Sequence, residues 1–251
     1  MKALITGASS GIGRDIARSL ARRGYDLILV ARREDRLCEL KAQLPVDVQI
    51  IPMDLAVKGS CRALYERVKD QDIDMLVNNA GKGVFGAFDE TQLGQELEML
   101  SVNIRATHIL TKLFLPDFKA KNRGHILNVA SSAAFLPGPL LSSYYASKAY
   151  VMRLSEAIAE ELRRAGSSVK ISILCPGPVR TEFDQVANVS FSSPSLDSRS
   201  VAEYAVRQTL QGKLLIIPGK QMKFLHTAAR LVPDKALARL VWHVQKRKGS
   251  Q

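Results

Sequence analysis

Cysteine and histidine are scarce in this chain of 251 residues, and each scarcity removes a class of function. Cys38, Cys61 and Cys175 are too few for a disulfide framework and have no metal-ligand spacing, so a reducing compartment is the simplest setting. His108, His125, His226 and His243 are scattered without ligand spacing, so no metal is expected. No apolar run approaches the ~20 residues needed to span a bilayer. Met1-Lys2-Ala3-Leu4-Ile5 runs straight into a strand-like segment, so no signal peptide is read there. Together these absences point to the cytoplasm. Internal repeats and low-complexity segments are absent as well.

What is present is a hydrophobic fraction of 46%, ample for one large core, with no composition break that argues for two domains. The net charge of +12 is uneven. Lys220, Lys223, Arg230, Lys235, Arg239, Lys246, Arg247 and Lys248 face Asp234 alone, so residues 220–251 carry +7 of it. With no recognition motif and the charge gathered in the tail, a nucleic-acid partner is not expected.

Strand, turn and helix signals alternate from the start, a rhythm that implies parallel strands with right-handed crossovers. Residues 2–6 read as a buried strand opening onto Thr6-Gly7-Ala8-Ser9-Ser10-Gly11-Ile12-Gly13, with a helix at about 12–23. Glycines let a phosphate approach the backbone, and the helix start presents free N–H groups to it. The next strand, 26–31, ends in Ala31-Arg32-Arg33 where an NAD-binding unit would carry an acid. A missing carboxylate followed by Arg32 favours the 2′-phosphate of NADP(H) over NAD(H). Arg33 admits the alternative of a merely solvated charge at a helix start, and Arg32 admits the same alternative. Helices at 34–44 and 57–70 and strands at 47–52 and 73–77 follow. They place Asp54-Leu55 beside an adenine ring and Asn78-Asn79-Ala80-Gly81 at the ligand-binding edge of the sheet.

A long helix at about 91–118 contains Asn103, mildly unfavourable in a helix interior and so a candidate for a specific role. A strand at 124–130 delivers Ser131 and Ser132 to the same edge. Thirteen residues after Ser131 comes Tyr144-Tyr145-Ala146-Ser147-Lys148, on a helix of about 143–165. Tyr144 and Lys148 lie one turn apart on one face. An ammonium near a phenol is expected to lower its pKa from about 10 toward the working pH, making it a proton donor and acceptor. Strand 169–174 leads to Cys175-Pro176-Gly177-Pro178-Val179-Arg180-Thr181, where Cys175 reads as a buried strand-end residue.

These motifs, in this order and at these spacings over residues 1–218, resemble the short-chain dehydrogenase/reductase family. The resemblance implies an α/β fold: a Rossmann-like, doubly wound parallel sheet of about seven strands with helices on both faces, here with a helical C-terminal extension. It implies that Tyr144 is the general acid/base and that Lys148 lowers its pKa and binds the nicotinamide ribose. Ser131 would polarise the substrate carbonyl, and Asn103 would position a water in the proton relay. Tyr145 and Ser132 are neighbours, but only Tyr144 and Ser131 have the family offsets. Thr6, Gly7, Ser9, Ser10, Gly11, Ile12, Gly13, Arg32, Asp54, Leu55, Asn79, Ala80, Gly81, Pro176, Gly177, Val179 and Thr181 would bind the cofactor. The expected activity is NADP(H)-dependent interconversion of a carbonyl and an alcohol. A catalytically silent nucleotide sensor of the same fold is the alternative. A homodimer or homotetramer through helices 91–118 and 143–165 is also implied.

Residues 182–197 are serine-rich with Phe183, Val186, Val189 and Phe191, a pattern that suits either a lid or a surface loop. With Val84, Phe85, Leu136, Leu140 and Leu141 they point to a hydrophobic substrate. Helix 199–211 and strand 213–217 finish the sheet. The tail, 219–251, is taken as part of the same domain and holds two helices, 221–232 and 234–246, around Pro233. Basic and amphipathic, it can lie on an anionic membrane surface, close a substrate pocket or pack on a partner subunit.

Overall fold

The structure, a computed structural model, describes residues 1–183 and 195–246. Seven parallel strands form one sheet: β1 (Lys2–Thr6), β2 (Asp26–Ala31), β3 (Val48–Pro52), β4 (Met75–Asn78), β5 (His125–Val129), β6 (Lys170–Leu174) and, after two short strands elsewhere, β9 (Leu215–Ile216). Their order is β3-β2-β1-β4-β5-β6-β9, so the chain builds outward from β1 in one direction, returns, and builds outward in the other. This is the doubly wound arrangement, and its reversal lies between β1 and β4. The short strands β7 (Val179–Arg180) and β8 (Leu196–Asp197) pair with each other.

Both faces of the sheet are covered, which explains why its strands are apolar without alternation. Ala3, Ile5, Leu27, Leu29, Met75 and Val77 pack on one side, where α1 (Gly11–Ala21) and α7 (Ser198–Leu210) lie. Leu4, Ile28, Leu76 and Ile126 pack on the other, against α3 (Ser60–Val68), α5 (Thr107–Ala120) and α6 (Ser142–Arg164). Helix α2 (Glu34–Ala42) joins β2 to β3.

Two differences from the sequence expectation bear on the site. The helix expected over 91–118 is three pieces: α4 (Leu93–Leu100), a π-helical turn (Ser101–Ala106) and α5. Asn103 lies inside that turn, where a widened helix lets its side chain reach out of the ladder. In the tail, α8 (Lys220–Ala229) stops three residues short of the expected end, and α9 is Asp234–Lys246. Val186, Val189, Phe191, Arg247 and Lys248 lie outside the described residues. No described helix is long and apolar enough to cross a membrane.

Candidate active site

A cavity of about 620 Å³ runs along the carboxyl ends of the strands, with wall residues following each of β1 to β6. At one end is the glycine turn. Gly7 and Gly11 have φ of +65° and +53°, left-handed values that side chains resist. A Cβ on Gly13 would stand 2.3 Å from Asn79 Nδ2 and 2.4 Å from the Gly7 carbonyl, so the turn and the helix behind it touch backbone to backbone. Asn79 holds them there: its Nδ2 donates to the carbonyls of Thr6 (3.0 Å) and Gly7 (3.1 Å). Thr6 Oγ1 returns the link, donating to Val77 and accepting from the N–H groups of Asn79 (3.0 Å) and Ala80 (3.1 Å).

The arginines after β2 divide their work differently from the sequence reading. Arg32 is 62% exposed, with Glu98 at 3.5 Å and Asp54 at 3.9 Å. Arg33 instead donates to the hydroxyls of Ser9 and Ser10 (3.1 Å each) and to Glu182 (2.8 Å). Arg33 is therefore more than a solvated charge. The extended backbone at the helix start turns its side chain back over the glycine turn. Leu55 is buried beside Asp54, and both line the cavity with Ile12, Ala80 and Gly81.

At the centre, Ser131, Tyr144 and Lys148 share the wall. Ser131 lies close enough to the Tyr144 phenol to favour its ionised form, and it accepts from the Ala133 N–H at 3.1 Å. Lys148 is only 5% exposed; its Nζ donates to the Val129 carbonyl at 2.9 Å and lies 5.8 Å from the centre of the Tyr144 ring. Burial pulls the Lys148 pKa down to about 8. The Tyr144 pKa is raised, not lowered: burial dominates, and Ser131 offsets only part of it. The expectation that Lys148 draws the phenol down is corrected for the protein as it stands, because the ammonium faces Val129 and not the phenol oxygen. Cys175 is buried with its thiol pushed up to about 12, chiefly by burial, and is no nucleophile.

Three expected site residues do not line the cavity. Thr6 and Gly13 stand behind it as the supports described above. Asn103, 1% exposed, is also behind the wall: Nδ2 donates to the Lys82 carbonyl and to Ser147 Oγ (3.0 Å each), and Oδ1 accepts from the Lys82 N–H at 3.0 Å. Its side chain clamps the loop after β4 to α6. Val179, Thr181, Pro176 and Gly177 do line the cavity, and a Cβ on Gly11 would meet Thr181 Cγ2 at 2.9 Å.

The far end is apolar. Leu136, Leu141 and Phe183 line it, and Phe183 packs on the Tyr144 ring at 5.3 Å. Met222 and Leu225 of α8, with Leu237, Leu240, Val241 and Val244 of α9, complete the wall. Of the roles left open for the tail, closing the pocket is the one these contacts display. Sequence reading missed Gln245, which continues the buried stripe of Leu237 and Val241 at four-residue steps. A polar side chain on an apolar stripe was the available signal.

A family model, short chain dehydrogenase, matches residues 1–190. The chain belongs to the short-chain dehydrogenase/reductase family. A short-chain dehydrogenase from Sphingobium yanoikuyae, solved in complex with NADPH, superposes with a TM-score of 0.82 at 30% identity, covering 100% of this chain and 97% of that one. A family member from Burkholderia phymatum in complex with NAD gives 0.83 at 26% identity, with 92% of each chain covered. The very-long-chain 3-oxoacyl-CoA reductase of Kluyveromyces lactis is 33% identical over 206 residues, which are 77% of this short-chain dehydrogenase/reductase and 59% of that enzyme.

Proposed function

We propose that the protein is an NADP(H)-dependent oxidoreductase that interconverts a carbonyl and an alcohol on a hydrophobic substrate, in one folded unit that includes the tail. The observation that carries this is the convergence of Ser131, Tyr144 and Lys148 between a glycine cradle and an apolar cavity end. The nicotinamide, when bound, supplies or accepts the hydride. A Cβ on Gly7 would meet Ala80 Cα at 2.8 Å and one on Gly11 would meet Thr181 Cγ2 at 2.9 Å, so the turn stays bare at both glycines, which fits a phosphate approaching main-chain N–H groups. Arg33 and Arg32 would hold the 2′-phosphate, Leu55 and Asp54 the adenine, and Pro176 to Thr181 the nicotinamide.

Ser131 hydrogen-bonds the substrate oxygen beside Tyr144. The Tyr144 phenol holds its proton at neutral pH, the state needed to protonate a carbonyl as it is reduced. Lys148, its pKa lowered by burial to about 8, would bond the nicotinamide ribose and, once turned from the Val129 carbonyl toward the phenol, stabilise the phenolate that remains. Similarity to a very-long-chain 3-oxoacyl-CoA reductase supports extended apolar carbonyls as the substrate class. The test is a screen of NADPH oxidation across a carbonyl library, with NADH in parallel. Tyr144→Phe removes nearly all turnover while NADPH still binds; turnover like that of the wild type in this variant rejects the assignment.

For partners, we read the outer sides of α4 to α6, where Leu93, Leu97 and Tyr150 are exposed, as a homodimer or homotetramer contact. Light scattering of a monomer at micromolar concentration would exclude it. Exposed Phe224, Leu231 and Trp242 among the tail's lysines and arginines support peripheral contact with an anionic membrane from a cytoplasmic location. Equal sedimentation of the protein with anionic and neutral vesicles counts against that contact.

A further inference from the structure

Tyr145 follows Tyr144 by one residue of α6, so its side chain leaves the helix about 100° further round and serves another part of the wall. Its ring lies directly on Gly138, where a Cβ would stand 2.1 Å from Tyr145 Cγ. Its hydroxyl accepts from Gln245 Nε2 of α9 at 2.6 Å. Gln245 is 1% exposed, lines the cavity, and its Oε1 is buried without a hydrogen-bond partner among the described residues. No described residue accepts the Tyr145 proton either, and burial pushes that phenol up to about 12, so the proton stays in place. A free acceptor and a free donor therefore sit side by side in a cavity whose lining includes the apolar Leu141, Leu237, Val241 and Val244.

A buried amide oxygen left unpaired is costly, and a ligand that pairs it recovers that cost. The geometry points to Gln245 and Tyr145 as a specificity subsite for a hydroxyl group carried by the substrate away from its reacting carbonyl. A hydroxyl donates to Gln245 Oε1 while accepting from Tyr145; it satisfies the pair whichever way the amide is turned. The substrate class is thus an apolar carbonyl compound with a second, hydroxyl-bearing position. This rests on the proposed carbonyl/alcohol reading of the same cavity. Sites built around a hydrogen bond discriminate against analogues lacking it far more sharply than apolar walls discriminate by size.

The test pairs methyl ketones from hexan-2-one to decan-2-one with their ω-hydroxy counterparts. Each pair is assayed with NADPH on the wild type, Gln245→Leu and Tyr145→Phe. The expected result is a wild-type KM roughly tenfold lower for the best ω-hydroxy ketone than for its plain partner, with kcat little changed. Both variants bring that ratio near one, and Gln245→Leu melts no lower than the wild type because it removes a buried unpaired oxygen. Should the leucine variant unfold, Tyr145→Phe decides alone. Thermal shift with the matching alkan-2-ols and diols reads the same preference without turnover, which separates a wrong subsite from a wrong reaction. Equal KM values and equal shifts across every wild-type pair, or a preference surviving in both variants, overturns the proposal.

Discussion

Arg33 and Glu182 stand 2.8 Å apart at the rim of the glycine turn, and the same guanidinium holds Ser9 and Ser10. Arg36 also pairs with Glu182, so two guanidinium groups converge on one carboxylate and, with Arg36 the larger influence, keep its pKa low. An anion-binding position thus exists beside the cradle, and Glu182 fills it from within the chain. A 2′-phosphate bound there competes with that carboxylate. Arg33→Ala is expected to weaken NADPH binding by roughly tenfold or more while NADH binding changes little, and Glu182→Gln to strengthen NADPH binding, both by calorimetric titration. Equal losses for the two dinucleotides in Arg33→Ala would mean that the arginine only braces the turn.

Gly13 tests the cradle itself. A methyl there would lie 2.3 Å from Asn79 Nδ2 and 2.4 Å from the Gly7 carbonyl, so Gly13→Ala must push the turn away from α1 or break the Asn79 clasp. Overpacking of this kind costs about 1–3 kcal/mol. Urea melts should show that loss, and dinucleotide binding should fall with it. By contrast, Gly24→Ala meets no neighbour within 4 Å and should leave binding unchanged, although its φ of +77° still costs some stability.

How far the site was legible in the sequence depended on whether the information was local. The glycine turn, the strand-helix rhythm and the Tyr144/Lys148 offset are short-range patterns, and the structure keeps each within a few residues of its expected place. Arg33 was not legible, because its partners Ser9, Ser10 and Glu182 are 23 to 149 residues away in sequence. Gln245 bonds across 100 residues and escaped for the same reason. The Tyr144 pKa failed differently. Spacing puts the ammonium one turn away but does not say that burial outweighs it, or that Lys148 turns to the Val129 carbonyl.

Asn103 offers a stability prediction that separates clamp from relay. Asn103→Ala removes three hydrogen bonds and leaves the half-buried Lys82 backbone without these partners, at a cost of about 1–3 kcal/mol. If positioning is its role, Asn103→Ala lowers the melting temperature together with kcat. A large loss of kcat with an unchanged melting curve would instead favour direct participation in proton transfer.

Lys148 makes stability depend on pH in a defined window. Its pKa is about 8 in the fold because burial disfavours the charge, against about 10.5 in an unfolded chain. Between those values the unfolded chain holds a proton that the folded one has released, so stability rises with pH there. Tyr144 acts in the opposite sense but later. Its pKa is raised by burial, so its contribution is intact below about 10 and is lost only above that. From pH 8 to 9.5, therefore, the lysine governs the difference between wild type and Lys148→Met. Urea melts at pH 7, 8.5 and 9.5 should show the wild type gaining on the variant, by up to about 2 kcal/mol at the highest pH. A difference that stays flat across that range would mean that the lysine keeps its charge in the folded protein, hydrated or paired beyond the Val129 carbonyl.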